Sequence, residues 1–332
     1  MSAQTATSTI TVDQSPFRLV GTYGDFRDDL INQGYAVVKN AIDPEKARQY
    51  QQRAVAWLKS FNTALDLNDP STWIDENLPV QSKINSFEKY AATHERFVWE
   101  ARQEPGVLDA FSKIWGTDEL LVSFDSFNIT FSNRKDKPPR APWPHVDQSP
   151  LKRGMHCVQG IISLSHAGPE DGSLVVVPKS HKALDRFFDT QTDPKSWKKE
   201  DVFPFTEKDM GWFRGEGLQP LKVQAEPGDL ILWDSRVAHW GGDPTEKSDT
   251  IRTIIYATYT PRNLATKAAL AEKKRVFEAY GYTTHWPHDN IALGELDARL
   301  PDGSLDPRNR SEPWEKAERT DRLLQLAGVK PY

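Results

Sequence analysis

The chain has little cysteine, no long apolar run and no excess of positive charge. Its single cysteine, Cys157, excludes an intrachain disulfide and a zinc site built on several thiolates, and it fits a reducing compartment. No stretch approaches the ~18 consecutive apolar residues that would span a bilayer. The 42 Lys and Arg against 47 Asp and Glu leave a formal charge of −5, so no global field draws the chain to nucleic acid or to an anionic membrane. The first residues, MSAQTATSTITVDQSP, lack the basic-then-apolar pattern of a secretory signal, and the last, GVKPY, are not a Ser-Lys-Leu address. The expectation is a soluble cytoplasmic protein, monomer or homodimer, that meets small molecules rather than nucleic acid or membrane. What the chain does have is tryptophan: eleven in 332 residues, enough for a large core, for aromatic walls around a ligand, or for both.

Residues 1–16 are polar and Ser/Thr-rich and read as a flexible N-terminus. Phe26, Leu30 and Ile31 suggest a short helix ended by Gly34, and GYAVVKN (34–40) a strand. Asp43-Pro44-Glu45 reads as a helix start, with Asp43 as cap and Pro44 in the first turn. Residues 86–115 look largely helical, broken at Pro105-Gly106. From residue 120 the pattern turns to strands: 120–131, 157–165, 174–178, 221–227, 229–234 and 253–261, separated by turn pairs such as Asp171-Gly172 and Pro227-Gly228. Short strands with such punctuation suggest a β-sandwich or barrel. Helix returns over 264–280, and the polar, Pro-rich tail holds one helix near 314–327. The division expected is a single catalytic domain over 17–284 and a C-terminal extension, 285–332, packing on or near it.

Of eight histidines, only His145 has a carboxylate two places on, in His145-Val146-Asp147. Alternate strand residues share a face, so this spacing can set an imidazole and a carboxylate on one ion. Alone, the tripeptide arises easily by chance. The context adds to it: Pro227-Gly228-Asp229 opens a strand that ends near His239, and Arg252 follows thirteen residues on, opening the next strand. A third ligand from a distant strand would complete a two-His-one-carboxylate face with open positions for a co-substrate and O2. An arginine in a barrel mouth can pair bidentately with a carboxylate, although an arginine at a strand end is also a common structural ion pair.

The ordered set Pro144-His145-Val146-Asp147, Val158-Gln159-Gly160, Gly168 through His181, Pro227-Gly228-Asp229, Trp233 through His239 and Arg252 resembles the phytanoyl-CoA dioxygenase family of Fe(II)/2-oxoglutarate oxygenases. The resemblance is close over roughly 120–262. It implies a mainly β fold with flanking helices, a double-stranded β-helix (jelly roll) of cupin type. It implies Fe(II) on His145, Asp147 and His239, 2-oxoglutarate anchored by Arg252, and O2 as oxidant, with succinate and CO2 as co-products of a hydroxylation. Halogenating relatives replace the carboxylate by Gly or Ala, so Asp147 implies oxygenation. Where the family often reads Pro-Gly-Ser-His, this chain has Pro178-Lys179-Ser180-His181, and His181 is expected outside the metal shell. Two alternatives stand beside this reading: a cupin-type metal-dependent isomerase and a non-catalytic small-molecule binding barrel.

Around the metal, Gln159 and Asn128 are candidates for binding the co-substrate or substrate, against a hydrogen bond to backbone inside the barrel. With Arg252 facing inward, Ile254, Tyr256 and Thr258 should do so too. Trp143 and Trp240 flank metal ligands and either wall the pocket or pack. Arg134, Lys135, Lys137, Arg140, Lys152 and Arg153 bracket the motif and either steer a carboxylate-bearing substrate or form a solvated loop. The pair His285 and His288 reads as a surface loop folding over the barrel mouth rather than a second metal site.

Overall fold

The structure is a computed structural model that describes residues 11–332. The strands, in chain order, are β1 (Asp13–Gln14), β2 (Tyr35–Val38), β3 (Ser86–Phe87), β4 (Leu120–Val122), β5 (Phe127–Thr130), β6 (His145–Val146), β7 (Lys152–Arg153) and β8 (Val158–Ser163). They continue as β9 (Ser173–Val176), β10 (Phe203–Pro204), β11 (Leu221–Lys222), β12 (Leu230–Asp234), β13 (His239–Gly242), β14 (Arg252–Tyr256) and β15 (Tyr259–Pro261). The helices are α1 (Phe26–Gln33), α2 (Pro44–Lys59), α3 (Arg96–Arg102), α4 (Pro105–Trp115), α5 (Ser180–Gln191), α6 (Glu207–Gly215), α7 (Lys267–Glu278) and α8 (Asp321–Leu326).

Two antiparallel sheets face each other. The larger runs β2-β12-β8-β14-β5-β3 and the smaller β10-β6-β13-β9-β11. This is the double-stranded β-helix, with three apolar layers sorted by strand alternation. Val158, Ile162, Leu230, Leu232, Ile255 and Phe127 point out of the larger sheet into a core completed by α2, α3 and α4. Val146, Val175 and Trp240 point out of the smaller sheet onto Leu184, Phe187 and Phe188 of α5 and Phe213 of α6. Between the sheets lie Ile161, Leu174, Val176, Ile231, Trp233, Val237 and Ile254. That inner layer fills only part of the space, and the rest is the site.

Local chemistry sets the registers. Asp43 caps α2 by accepting from the backbone N–H of Glu45 and Lys46, with Pro44 in the first turn. Gly228 sits at φ +94°, where a Cβ would stand 2.2 Å from the Ile42 carbonyl oxygen. Buried Asp229 then takes bonds from the Glu226 and Asn40 backbone N–H and the Lys39 ammonium, fixing β12 beside β2.

Several expectations change. The flexible N-terminus falls partly on residues 1–10, outside the described residues, but Asp13–Gln14 pair in parallel with Lys152–Arg153, so looseness does not reach residue 16. The helical reading of 86–115 holds from Arg96 on, whereas Ser86–Phe87 form an edge strand against β5. The single strands read at 120–131 and 253–261 each divide in two, at Ser123–Ser126 and at Ala257–Thr258. The divided halves pair with each other, β4 with β15 and β5 with β14, so the bends match. The C-terminal extension packs on the helical layer: Leu323 and Leu326 join the large core, and the Tyr332 hydroxyl bonds both backbone groups of Leu120. Its helix is shorter than read, spanning only α8.

Candidate active site

His145 and His239 are direct cross-strand partners in the smaller sheet. Alternation sends Val146 and Trp240 outward to the helices, so His145, Asp147 and His239 all turn into the barrel. Each imidazole gives its Nδ1 side to a backbone carbonyl two residues back, His145 to Trp143 at 3.1 Å and His239 to Val237 at 2.9 Å. The donor there is Nδ1–H, which leaves Nε2 as a lone pair. The two Nε2 atoms converge on one carboxylate, His145 at 3.4 Å from Asp147 Oδ1 and His239 at 3.2 Å from Oδ2. Ligand atoms of the three residues lie within 4.8 Å of one another, the only such grouping among the described residues.

Electrostatics sharpens this. Burial, reinforced by the neighbouring His239, holds His145 down to about 4, so its ring is neutral at pH 7. Burial opposes ionisation of Asp147, but His285, His145 and His239 more than offset it and hold the carboxyl below its usual range. The lone pair of neutral His145 therefore faces an ionised carboxylate. Such an electron-rich trio, with its outer nitrogens already hydrogen-bonded, is the donor set of a divalent metal site.

Gln159, on β8, donates Nε2 to Asp147 Oδ2 at 2.8 Å. Its side chain orients the carboxylate, a role between the two expected for it. Asn128 lines the cavity, yet its amide is engaged by protein: the nitrogen donates to the Ile84 carbonyl and the oxygen accepts from Thr130 Oγ1 at 2.8 Å. Arg252 opens β14 opposite Thr130 and lines the same cavity. The residue is 8 % exposed, its Nε has no hydrogen-bond partner, and it pairs with no acid among the described residues. Burial lowers its pKa.

The cavity holds about 420 Å³. Trp143 stacks on the His145 ring, centroids 4.4 Å apart and planes 9° from parallel. Trp240 is absent from the lining and packs among the outward layer, as does no metal ligand. Ile254 belongs to the inner apolar layer and Tyr256 lines the cavity, but Thr258, within the bend, does neither. His181 bonds the Ile31 carbonyl at 3.1 Å, away from the trio. The basic cluster is largely spent in ion pairs: Arg134 with Asp75 and Asp136, Lys137 with Asp75, Arg140 with Asp243, Lys152 with Asp201, and Arg153 with Asp185 and Asp189.

Sequence reasoning did not assign His285, Glu88 or Asp125 to the cavity, although it expected the loop of His285 over the barrel mouth. His285 lines the wall beside Tyr282, Thr283 and Thr284, with Nε2 buried and unpartnered, while His288 turns away to Thr260 Oγ1. Glu88 and Asp125 line another part of the wall. All three sit on irregular segments, where no periodicity announces a direction.

A family profile described as phytanoyl-CoA dioxygenase (PhyH) matches residues 31–253. Ava biosynthesis cluster protein O of Aspergillus versicolor is 42% identical over 271 residues, 80% of this chain and 87% of that protein. The chain belongs to the phytanoyl-CoA dioxygenase family. Among solved structures, the non-heme alpha-ketoglutarate-dependent epimerase SnoN from nogalamycin biosynthesis superposes with a TM-score of 0.51 at 17% identity, covering 90% of this chain and 95% of that one. EctD from S. alaskensis with bound Fe gives 0.50 at 16% identity, covering 76% and 82%. At these identities the likeness speaks to the fold, the jelly roll of this family. No helix among the described residues is long and apolar enough to cross a membrane.

Proposed function

We propose that this family member is an Fe(II)- and 2-oxoglutarate-dependent dioxygenase that hydroxylates a C–H bond of a small organic substrate. In that reading His145, Asp147 and His239 hold the metal, Gln159 orients Asp147, and Arg252 anchors the distal carboxylate of 2-oxoglutarate. The observation that carries it is Arg252. A buried guanidinium without an acid costs several kcal/mol unless a ligand supplies the anion, and this one lines the cavity of the electron-rich trio. Bound iron and 2-oxoglutarate supply the oxidising power: R–H, O2 and 2-oxoglutarate become R–OH, succinate and CO2. The protein's share is to hold the substrate carbon near the metal and keep water and side reactions out. Naming of the 42% identical relative for a biosynthesis cluster supports a place in secondary metabolism. A cytoplasmic setting, suited to the lone buried Cys157, is part of the same reading.

Purified protein given Fe(II), 2-oxoglutarate and ascorbate should consume O2 and release succinate, faster with substrate present. His145→Ala and His239→Ala should lose tight iron binding. An oxygen-independent conversion would favour the isomerase reading instead.

A further inference from the structure

A second space of about 740 Å³ adjoins the cavity at the metal trio, and Ile84, Arg140 and Trp143 line both. Together they exceed what an amino-acid-sized substrate needs. The outer walls are largely apolar: Ile84, Phe131, Pro138, Pro139, Trp143 and Pro244. Trp143 is 39% exposed although one of its faces is stacked on His145, so its indole remains available to a ligand.

Charge tells against an acid. The cations over this chamber, Arg134, Lys137 and Arg140, are already paired with Asp75, Asp136 and Asp243. Only Lys83, exposed at the rim, has no acidic partner among the described residues, and exposed, unpaired Glu246 offsets it there. In the inner cavity Arg252 is taken by the co-substrate in the reading above. The remaining charged wall is Glu88 and Asp125, neither in an ion pair. Burial pushes both carboxyls up, Asp125 to about 7. A substrate carboxylate would meet these groups with no cation to receive it.

We infer that the outer chamber seats the ring system of a bulky, apolar, ring-bearing substrate without a carboxylate, laid against Trp143 so that one edge enters between Ile84 and Arg140 toward the trio. This rests on the oxygenase reading for what happens to that edge and for the occupied Arg252 that leaves an acid no cation, but not for the seating of the ring itself.

The test uses the full chain loaded with Mn(II) and 2-oxoglutarate without oxygen, and two probes of the same ring, 1-pyrenemethanol and 1-pyrenecarboxylate, followed by fluorescence anisotropy. The neutral probe should bind at least about tenfold more tightly than the acid. Trp143→Ala should weaken it about tenfold, the scale of losing one stacked aromatic contact with its buried area. Pro138→Glu, which lines only the outer chamber, should weaken it comparably while leaving Mn(II) and 2-oxoglutarate affinities at the parent values. Equal or tighter binding of the acid, or neutral-probe binding untouched by both variants, would overturn the inference. If the parent binds pyrenemethanol as described but takes up neither metal nor 2-oxoglutarate, the chamber stands and the oxygenase reading falls.

Discussion

Along β14, Arg252 and Ile254 stand on one face, two residues apart, and meet opposite fates. Ile254 is packed with Ile161, Leu174, Ile231 and Val237, and nothing polar there goes unanswered by protein except the Trp233 indole nitrogen. Arg252 lies in a space where Asp147, His145, His239 and His285 crowd together and where its own Nε is unanswered. A second buried arginine makes the contrast clearer. Arg102 is fully buried and its Nε is likewise without a partner, but its two terminal nitrogens donate to the carbonyls of Thr93 and Asp125 and serve the fold. One end of the barrel interior thus holds the sheets together, and the other keeps polar groups poised at a cost in stability. Substitutions at the two ends should therefore separate stability from function.

The largest effect is expected from Asp147→Ala. It removes the carboxylate that both Nε2 atoms face, and iron-dependent turnover should fall by well over ~100-fold, beyond the range typical of groups that merely orient ligands. Unfolding by denaturant should show stability close to the parent. At the other end, Ile254→Ala should cost about 2–5 kcal/mol of stability by cavity formation, while residual folded protein keeps its metal affinity. A stability loss for Asp147→Ala as large as for Ile254→Ala would erase the division. Gln159→Leu sits on the boundary. It leaves the trio in place but frees Asp147 Oδ2, and metal affinity measured by competition with a chelating dye should drop about 10–100-fold.

The smallest effect lies outside the barrel. Lys179 holds φ +69° at the start of α5, the left-handed conformation that suits the glycine of the family's Pro-Gly-Ser-His pattern. Lys179→Gly should raise stability by about 0.5–1 kcal/mol in a thermal unfolding experiment, with turnover unchanged.

The site was legible in the sequence where strand alternation and chain order carried it. His145, Asp147, His239 and Arg252 lie on or beside short strands; alternation allowed His145 and Asp147 to share a face, the Pro227-Gly228-Asp229 turn announced the strand that precedes His239, and the ordered family motif supplied His239 and Arg252 as partners. Gln159 was placed on the right face, but its partner could not be read, because only the packed barrel brings β8 under Asp147. Lys179 looked like a departure from the pattern and proves to keep the same backbone geometry. The strands at 120–131 and 253–261 were each read as one run, since a bend matched by a neighbouring bend leaves no mark on composition. The layer of α5 and α6 against the smaller sheet went unread, and with it the reason Trp240 faces away from the metal ligands. His285, Glu88 and Asp125 enter the cavity from loops, whose direction is set by tertiary packing alone. The basic run at 134–153 left substrate steering and a solvated loop both open. Apart from Asp136, its acidic partners at 75, 185, 189, 201 and 243 are distant in sequence, so most of the pairwise neutralisation appeared only in the fold.

The most direct test of the division is the binding of 2-oxoglutarate to Fe(II)-loaded protein under anaerobic conditions, by calorimetry, for the parent and for Arg252→Met. The account predicts one-to-one binding to the parent, dependent on the metal. It predicts affinity lower by about 100-fold or more in the variant, from loss of a buried charge-assisted pair. The variant's folded stability should equal or exceed that of the parent, because an unpaired buried cation has been removed. Equal affinity for 2-oxoglutarate in both proteins, or a variant that is markedly less stable, would contradict it.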